Sequence, residues 1–218
     1  MIRAPGGFSA ATALVSVEHP HNMGGGTLYP QEELDRICDR AHERGLKVHM
    51  DGARLFNAVT ASGLAPARIV AKLDTVMMCL SKALGAPVGS LLAGSKDAMA
   101  EARRYRKHLG GGMRQAGVLA AAGLVALDES PPRLAEDHAN AKLLAERLGV
   151  KAETNIVIFD IVKTGLAAAE FVARVKNRGV LISPIGGTRV RAVTHYDVSR
   201  VDCERAAEAI ETVTEKLE

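Results

Sequence analysis

Residues 46–54 read Leu-Lys-Val-His-Met-Asp-Gly-Ala-Arg, and residues 75–82 read Thr-Val-Met-Met-Cys-Leu-Ser-Lys. Each stretch begins as a short apolar run, which is typical of a buried strand, and each ends in a charged side chain, Asp51 or Lys82. A segment with helical character, residues 54–62, separates them. Strands that alternate with helices predict an α/β domain with a mostly parallel sheet.

The same alternation continues on both sides of these two stretches. An apolar run at residues 13–17 precedes them, and residues 88–93 form a further strand candidate. Between the first two strands, apolar residues recur at the spacing of an amphipathic helix, namely Leu34, Ile37, Cys38 and Ala41. The first half of the chain is therefore expected to be one α/β domain.

A different pattern begins after Gly112. Residues 115–127 and 134–148 are expected to be helices, separated by two prolines. The later segments predict a strand, a helix, a strand pair and a last helix, at residues 156–159, 171–179, 180–182 with 190–193, and from 199 onward. We therefore predict a large domain over residues 1–129 and a small α+β domain over residues 130–218.

The composition excludes several classes of protein. Formal net charge is only +3, and the cationic residues are spread along the chain, which argues against a nucleic-acid partner. No apolar stretch reaches the ~18 to 20 residues that would span a membrane. The three cysteines form no Cys-x-x-Cys pair, which favours a reducing compartment, and the cytoplasm is the expected location.

Asp51 and Lys82 are the first candidates for chemistry. Both follow apolar strands, and the carboxyl ends of strands in open α/β sheets are where ligands bind. A partly desolvated lysine can form a Schiff base with an aldehyde, and a carboxylate can hold a pyridinium nitrogen protonated. A surface salt bridge, or two unrelated loop residues, is the alternative interpretation of this spacing.

Five segments carry a more specific pattern when they are taken together and in order. They are HNMGGGT at 21–27, HMDGARLFN at 49–57, CLSKALGAPVGS at 79–90, LGGGMRQAG at 109–117 and RAVTH at 191–195. From about Val15 to its C-terminus the chain resembles the threonine aldolases, within the fold-type-I pyridoxal-phosphate enzymes. The resemblance implies an incomplete large domain of that fold with a mostly parallel sheet, followed by a small α+β domain.

The resemblance also implies roles for individual residues around pyridoxal 5'-phosphate. Lys82 would be the Schiff-base lysine, Asp51 would pair with the pyridine nitrogen, and Arg54 would lie near the ring hydroxyl. Ser81 would contact the phosphate, and Asn22 would lie near the site.

Four cationic residues complete the predicted site. The resemblance makes Arg191 the expected partner of the substrate carboxylate, to which a guanidinium can donate two hydrogen bonds, with Arg189 as the less favoured candidate. By the resemblance, Lys107 and Arg114 would reach into the site of a neighbouring subunit. For residues 103–107, a solvated helix face is an equally good interpretation.

Two features of the chain are expected to be absent or incomplete. His19 and His21 have no carboxylate or cysteine partner at a useful spacing, so no metal site is expected. Family members carry a glycine-containing phosphate segment, and a histidine that stacks on the cofactor, N-terminal to where this chain begins. Neither has a counterpart here, and we therefore expect an N-terminally truncated enzyme.

The expected reaction is cleavage of a β-hydroxy-α-amino acid, such as L-threonine or L-allo-threonine, to glycine and an aldehyde. The chain is expected to act as a homo-oligomer, a dimer or a tetramer, on a small amino-acid substrate. One alternative is another fold-type-I lyase or an aminotransferase. A second alternative is a truncated remnant or partner subunit without catalytic activity.

Overall fold

The computed structural model describes residues 2–3, 6 and 10–215. By backbone contacts the chain divides into two compact units, the first comprising residues 1–20 and 29–131 and the second residues 21–28 and 132–218. The domain limits 1–129 and 130–218 stay a prediction. Residues 1, 4–5, 7–9 and 216–218 of the predicted domains lie outside the described residues.

The first unit contains a four-stranded sheet with helices between its strands. Its elements are β1 (Leu14–Glu18), α1 (Gln31–His42), β2 (Lys47–Asp51), α2 (Leu55–Ser62), α3 (Pro66–Ile69), β3 (Thr75–Cys79), β4 (Ser90–Gly94), α4 (Lys96–His108) and α5 (Gly117–Glu129). The strand order is β1-β2-β3-β4, with β1, β2 and β3 parallel and β4 antiparallel. The predicted α/β fold with a mostly parallel sheet is confirmed.

Burial of apolar side chains on β2 holds this sheet in place. Val48 and Met50 are fully buried on β2. The amphipathic spacing predicted for α1 is confirmed, since Cys38 and Ala41 pack in one cluster with Val48. Strand β2 is thus an inner strand that is covered by a helix, as its apolar run requires.

Strand β4 differs from the other strands of this sheet. All five of its residues are exposed, including Leu91 and Leu92. Because successive side chains of a strand point to opposite faces, both faces of β4 are only partly covered in the described structure.

The second unit has an antiparallel sheet that packs against three helices. Its elements are α6 (Leu134–Arg147), β5 (Ile156–Asp160), α7 (Ala168–Lys176), β6 (Ser183–Pro184), β7 (Arg189–Val193) and α8 (Arg200–Glu215). The strand order is β5-β7-β6, and the core between sheet and helices includes Val157, Phe171, Val190 and Ile210. The last helix begins with a capping box, in which Ser199 and Asp202 exchange hydrogen bonds.

One predicted strand is wrong. Residues 180–182 were expected to form a strand from their apolar character, but the pairing with β7 begins only at Ser183, opposite Arg191. The strand β6 is only two residues long, because the chain turns directly after it, where the N–H of Arg189 donates to the carbonyl oxygen of Gly186 at 3.0 Å. The apolar residues Val180 and Ile182 instead pack against the core as irregular chain.

Gly52 follows β2 directly and lies close to the backbone of β3. Its N–H donates to the carbonyl oxygen of Met77 at 2.9 Å. A Cβ at position 52 would lie 2.8 Å from that same oxygen and 3.2 Å from a methyl group of Val76. Only glycine therefore fits at the end of β2 without a shift of the backbone.

We predict that Gly52→Ala lowers the free energy of unfolding by about 2 kcal/mol, because the added methyl group overpacks against β3. Denaturant unfolding measures the change. Gly117→Ala at the start of α5 is the matched control, since a Cβ there meets nothing within 4 Å. Equal effects of the two substitutions would contradict the packing argument.

Candidate active site

The carboxyl ends of the parallel strands form one edge of the first sheet. Asp51 is the last residue of β2 and lies in register with Glu18 of β1 and Met77 of β3. Lys82 follows the end of β3 by three residues. Because β2 and β3 are parallel neighbours, Asp51 and the loop that carries Lys82 lie at the same edge of the sheet.

The carboxylate of Asp51 is half-buried and held in a turn. Its Oδ1 accepts a hydrogen bond from the backbone N–H of Ala53 at 3.0 Å. The backbone carbonyl oxygen of Asp51 accepts a hydrogen bond from the N–H of His19 at 3.0 Å, which ties the end of β2 to the chain that leaves β1. The backbone that carries this acid is therefore fixed from two sides.

The loop after β3 is anchored by apolar side chains and by backbone hydrogen bonds. Leu80, Ala83 and Leu84 are buried, whereas Ser81 and Lys82 are exposed. The hydroxyl of Ser130 donates to the carbonyl oxygen of Leu84 at 2.7 Å. The loop thus has a fixed inner side and presents a hydroxyl and an amine on its outer side.

Arg54 closes the same loop region after β2. Its carbonyl oxygen accepts hydrogen bonds from the N–H groups of Asn57 and Ala58, which begins α2. Its side chain is half-buried. The start of α2 therefore fixes the backbone that carries the Arg54 guanidinium.

His19 is not among the site residues expected from the sequence, yet it is buried at the same edge. Only 3% of its surface is exposed, and its ring lies 5.9 Å from that of Tyr29. Nδ1 accepts the N–H of Tyr29 at 3.3 Å, so the proton of the neutral ring is on Nε2. Burial lowers the pKa of His19, which favours this neutral form. Its position directly after β1 was the one sequence signal that could have drawn attention to it.

In the second unit, Arg191 is held by Asn22. Nη1 of Arg191 donates to Oδ1 of Asn22 at 2.8 Å, and Nη2 of Arg189 donates to the carbonyl oxygen of Met23 at 3.1 Å. Nε of Arg191 is buried and has no hydrogen-bond partner among the described residues. Arg191 therefore combines a fixed guanidinium with a donor that remains available to an acceptor.

The glycine-rich loop after Asn22 packs within the second unit. Gly26 has a φ of +74°, and a Cβ there would lie 2.0 Å from Oγ1 of Thr154. That same hydroxyl donates to the carbonyl oxygen of Gly26 at 3.0 Å. The loop needs glycine because a neighbouring side chain occupies the space of a Cβ.

Lys107 and Arg114 are exposed and flank a second glycine run. Lys107 lies in the last turn of α4, and the chain folds back so that the N–H of Gly111 donates to the carbonyl oxygen of Arg106. A Cβ on Gly112 would lie 3.1 Å from Cδ of Lys107. These glycines therefore permit a close approach within the chain itself.

The described structure offers neither a metal site nor a membrane span in the residues and helices considered next. Among residues 2–3, 6 and 10–215, no group of three or more His, Cys, Asp or Glu side chains could hold a metal ion. Within the same residues, no helix is both long enough and apolar enough to cross a membrane.

Solved structures share this fold. A threonine aldolase from Leishmania major superposes on 93% of this chain with a TM-score of 0.73, and the match covers 61% of that protein at 23% sequence identity. At that identity the likeness establishes the fold alone.

Closer similarity exists at the level of sequence. The chain is 41% identical over 213 residues to low-specificity L-threonine aldolase 1 of Arabidopsis thaliana, across 92% of this chain and 60% of the relative. It is 44% identical over 197 residues to the low specificity L-threonine aldolase of Escherichia coli K12, across 88% of this chain and 57% of the relative. The chain thus spans about three fifths of the length of these relatives.

The sequence pattern of a family covers most of the chain. The pattern that defines the beta-eliminating lyases matches residues 1–169, which include the sheet edge with Asp51 and Lys82. This chain belongs to the beta-eliminating lyase family.

Proposed function

We propose that this chain carries the principal residues of a pyridoxal-phosphate-dependent carbon–carbon lyase. Its substrate is a β-hydroxy-α-amino acid such as L-threonine or L-allo-threonine, and its products are glycine and an aldehyde. The observation that carries the proposal is the position of Asp51 and Lys82 at the carboxyl ends of neighbouring parallel strands. The threonine aldolases among the relatives support the choice of reaction.

The side chains at this edge fit pyridoxal 5'-phosphate by their chemistry. Lys82 offers an exposed amine for the aldehyde, Asp51 a carboxylate for the pyridine nitrogen, and Ser81 a hydroxyl for the phosphate. Arg54 offers a guanidinium for the ring hydroxyl. When bound, the cofactor supplies an electron-withdrawing ring that accepts the electron pair released as Cα–Cβ breaks.

Within this function, Asp51 and Lys82 have separate tasks. The Asp51 carboxylate stabilises a proton on the pyridine nitrogen by charge, and its turn with Ala53 keeps one oxygen fixed. Lys82 would hold the aldehyde of the cofactor through its exposed amine. The buried anchors Leu80 and Leu84 keep the lysine at the sheet edge.

Arg191 binds and orients the substrate carboxylate in this proposal. A side-on carboxylate would accept from the buried Nε–H that has no partner among the described residues, together with an Nη–H. Asn22 holds the other side of the guanidinium, so the rotamer is fixed before the substrate arrives. Arg189, which is exposed and bonded to the carbonyl oxygen of Met23, is the weaker candidate.

We further propose that the active form is a homo-oligomer in which Lys107 and Arg114 contribute to a neighbouring subunit's site. Large apolar side chains are exposed close to these cations, with Leu109 85% and Val118 71% exposed. Apolar patches of this kind are usually covered by a partner. The cytoplasmic location stays a prediction.

We predict that Lys82→Ala abolishes the visible absorbance that pyridoxal 5'-phosphate gives with the wild-type chain, because the amine that binds the aldehyde is lost. Borohydride reduction followed by peptide mapping locates the modified lysine. Lys96→Ala, which removes another exposed lysine of the same unit, is the control and should retain the absorbance.

Product analysis completes this test. Glycine and an aldehyde in equal amounts support the carbon–carbon lyase, whereas a keto acid with ammonia would indicate a different reaction of the same family. A reduced cofactor on any lysine other than Lys82 would contradict the assignment.

We predict that Arg191→Lys raises the KM for the amino acid about tenfold with a smaller effect on kcat, since lysine cannot make the two parallel hydrogen bonds. Steady-state kinetics measures both constants. Arg189→Lys is the control, because its guanidinium is exposed and contacts a backbone oxygen. A larger effect at Arg189 would transfer the role to that residue.

We predict that light scattering on the wild-type chain gives at least twice the mass of one chain. The double variant Val118→Ser, Leu124→Ser should reduce the assembly, because both side chains are exposed on α5. Val162→Ser, at an exposed apolar residue of the second unit, is the control. A monodisperse wild-type monomer that binds the cofactor would refute the oligomer proposal.

A further inference from the structure

One face of α6 holds the segment that follows the Arg191 strand. Asp137 and Asn140 lie on α6, and Arg133, which directly precedes the helix, extends the same face at the i, i+4 and i+7 spacing. The segment 194–198 runs directly on from β7, so its first residue is only three positions from Arg191. Contacts of this helix face therefore act on the end of the strand that carries the proposed carboxylate-binding residue.

Three contacts fasten the segment to the helix face. The hydroxyl of Thr194 donates to the carbonyl oxygen of Asp137 at 2.6 Å, and the Asn140 side chain donates to the carbonyl oxygen of Val198 at 3.2 Å. The Arg133 guanidinium lies over the ring of Tyr196, 4.1 Å from its centre. The segment is thus held at its start, middle and end.

Asn155 adds a fourth restraint from the neighbouring strand. Its carbonyl oxygen accepts the N–H of Thr194 at 3.0 Å, and its side-chain amide donates to the carbonyl oxygen of Thr194 at 2.8 Å. Both residues are buried. These bonds extend the β5–β7 ladder beyond its last regular pair and fix the exit of β7.

The carboxylate of Asp137 is an unusual group in this setting. The residue is fully buried, and neither carboxylate oxygen has a hydrogen-bond partner among the described residues. A guanidinium nitrogen of Arg133 lies 3.6 Å from Oδ1. Burial raises the pKa of Asp137, while the charge of Arg133 acts in the opposite direction.

A buried acid with so few hydrogen bonds costs stability, and an apolar side chain of similar size would cost less. A contribution to folding stability therefore does not explain why an acid stands at position 137. The carboxylate does attract the guanidinium of Arg133, which lies over the ring of the largely exposed Tyr196.

We propose that Asp137 is a positioning residue, which holds Arg133 over Tyr196 and so fixes the exit of β7 and the buried guanidinium of Arg191. The consequence of this positioning, a preformed carboxylate site, rests on the function proposed above for Arg191. The positioning itself is a property of the free chain. It can therefore be measured without substrate or cofactor.

The experiment follows hydrogen exchange of the Arg191 Nε–H by ¹⁵N NMR, with the resonance assigned by its loss in Arg191→Lys. In Asp137→Asn, exchange of this proton should be about tenfold faster than in the wild-type chain, while amides in the middle of α8 change little. Glu136→Gln is the matched control, because it removes an exposed carboxylate from the same turn of α6. It should leave the exchange rate within about twofold.

A pair of variants at Tyr196 tests the same link at an exposed position, where folding is not at risk. Tyr196→Ala removes the ring under Arg133 and should accelerate exchange at Arg191. Tyr196→Phe keeps the ring and should not. If Asp137→Asn accelerates all core amides of the second unit equally, or Tyr196→Ala leaves Arg191 unchanged, the residue is only structural and the proposal is wrong.

Glycine, added as a carboxylate probe, separates the two proposals. Exchange that depends on Asp137 and Tyr196, together with an Arg191 resonance that does not respond to glycine, would retain the positioning role and reject the carboxylate site. The reverse result, a response to glycine without any effect of Asp137 or Tyr196, would overturn the positioning role and retain the carboxylate site.

Discussion

The close approach of β2 to β3 at Gly52 is the constraint on which the first unit depends. Parallel strands pair only when their backbones run side by side, and here the pairing continues one residue beyond β2, through the N–H of Gly52 and the carbonyl oxygen of Met77. Without that contact the chain could leave the sheet earlier. Asp51 would then not be fixed beside the loop that carries Lys82. A single residue without a side chain thus permits the contact between the two strands that carry the proposed chemistry.

Each unit contains a group of polar residues that is already organised within that unit. In the first, apolar anchors and backbone hydrogen bonds hold the proposed acid and amine at one sheet edge. In the second, Asn22 fixes Arg191, and Thr154 fixes the glycine loop on which Asn22 is carried. Residues distant in sequence, such as Asn22 and Arg191, meet because the chain returns to the second unit. The proposed division places bond chemistry in one unit and carboxylate recognition in the other.

The sequence was most informative where burial and local pattern agree. Strands β2 and β3 and their parallel pairing follow from apolar runs that end in polar residues, and the amphipathic stripe of α1 follows from its spacing. The strand expected at residues 180–182 failed because apolar side chains can also be buried by irregular chain. His19 and Asp137 could not be recognised, since polar residues are normally expected at the surface and their burial depends on contacts distant in sequence. The assignment of Lys82 and Asp51 to a cofactor came from a resemblance, because spacing alone also allowed a salt bridge.

The unsatisfied polar atoms of the second unit suggest why its polar residues are arranged as they are. Nε of Arg191 and both oxygens of Asp137 are buried without a hydrogen-bond partner among the described residues, and each such atom opposes folding. The unpaired Nε–H of Arg191 favours binding, because a donor that is already desolvated and fixed needs little reorganisation when an anion arrives. The charge of Asp137 restrains the side chain of Arg133, whose guanidinium would otherwise be free to turn toward solvent. Both costs arise next to the same strand, β7, which is the element that has to be rigid if Arg191 is to select a carboxylate by geometry.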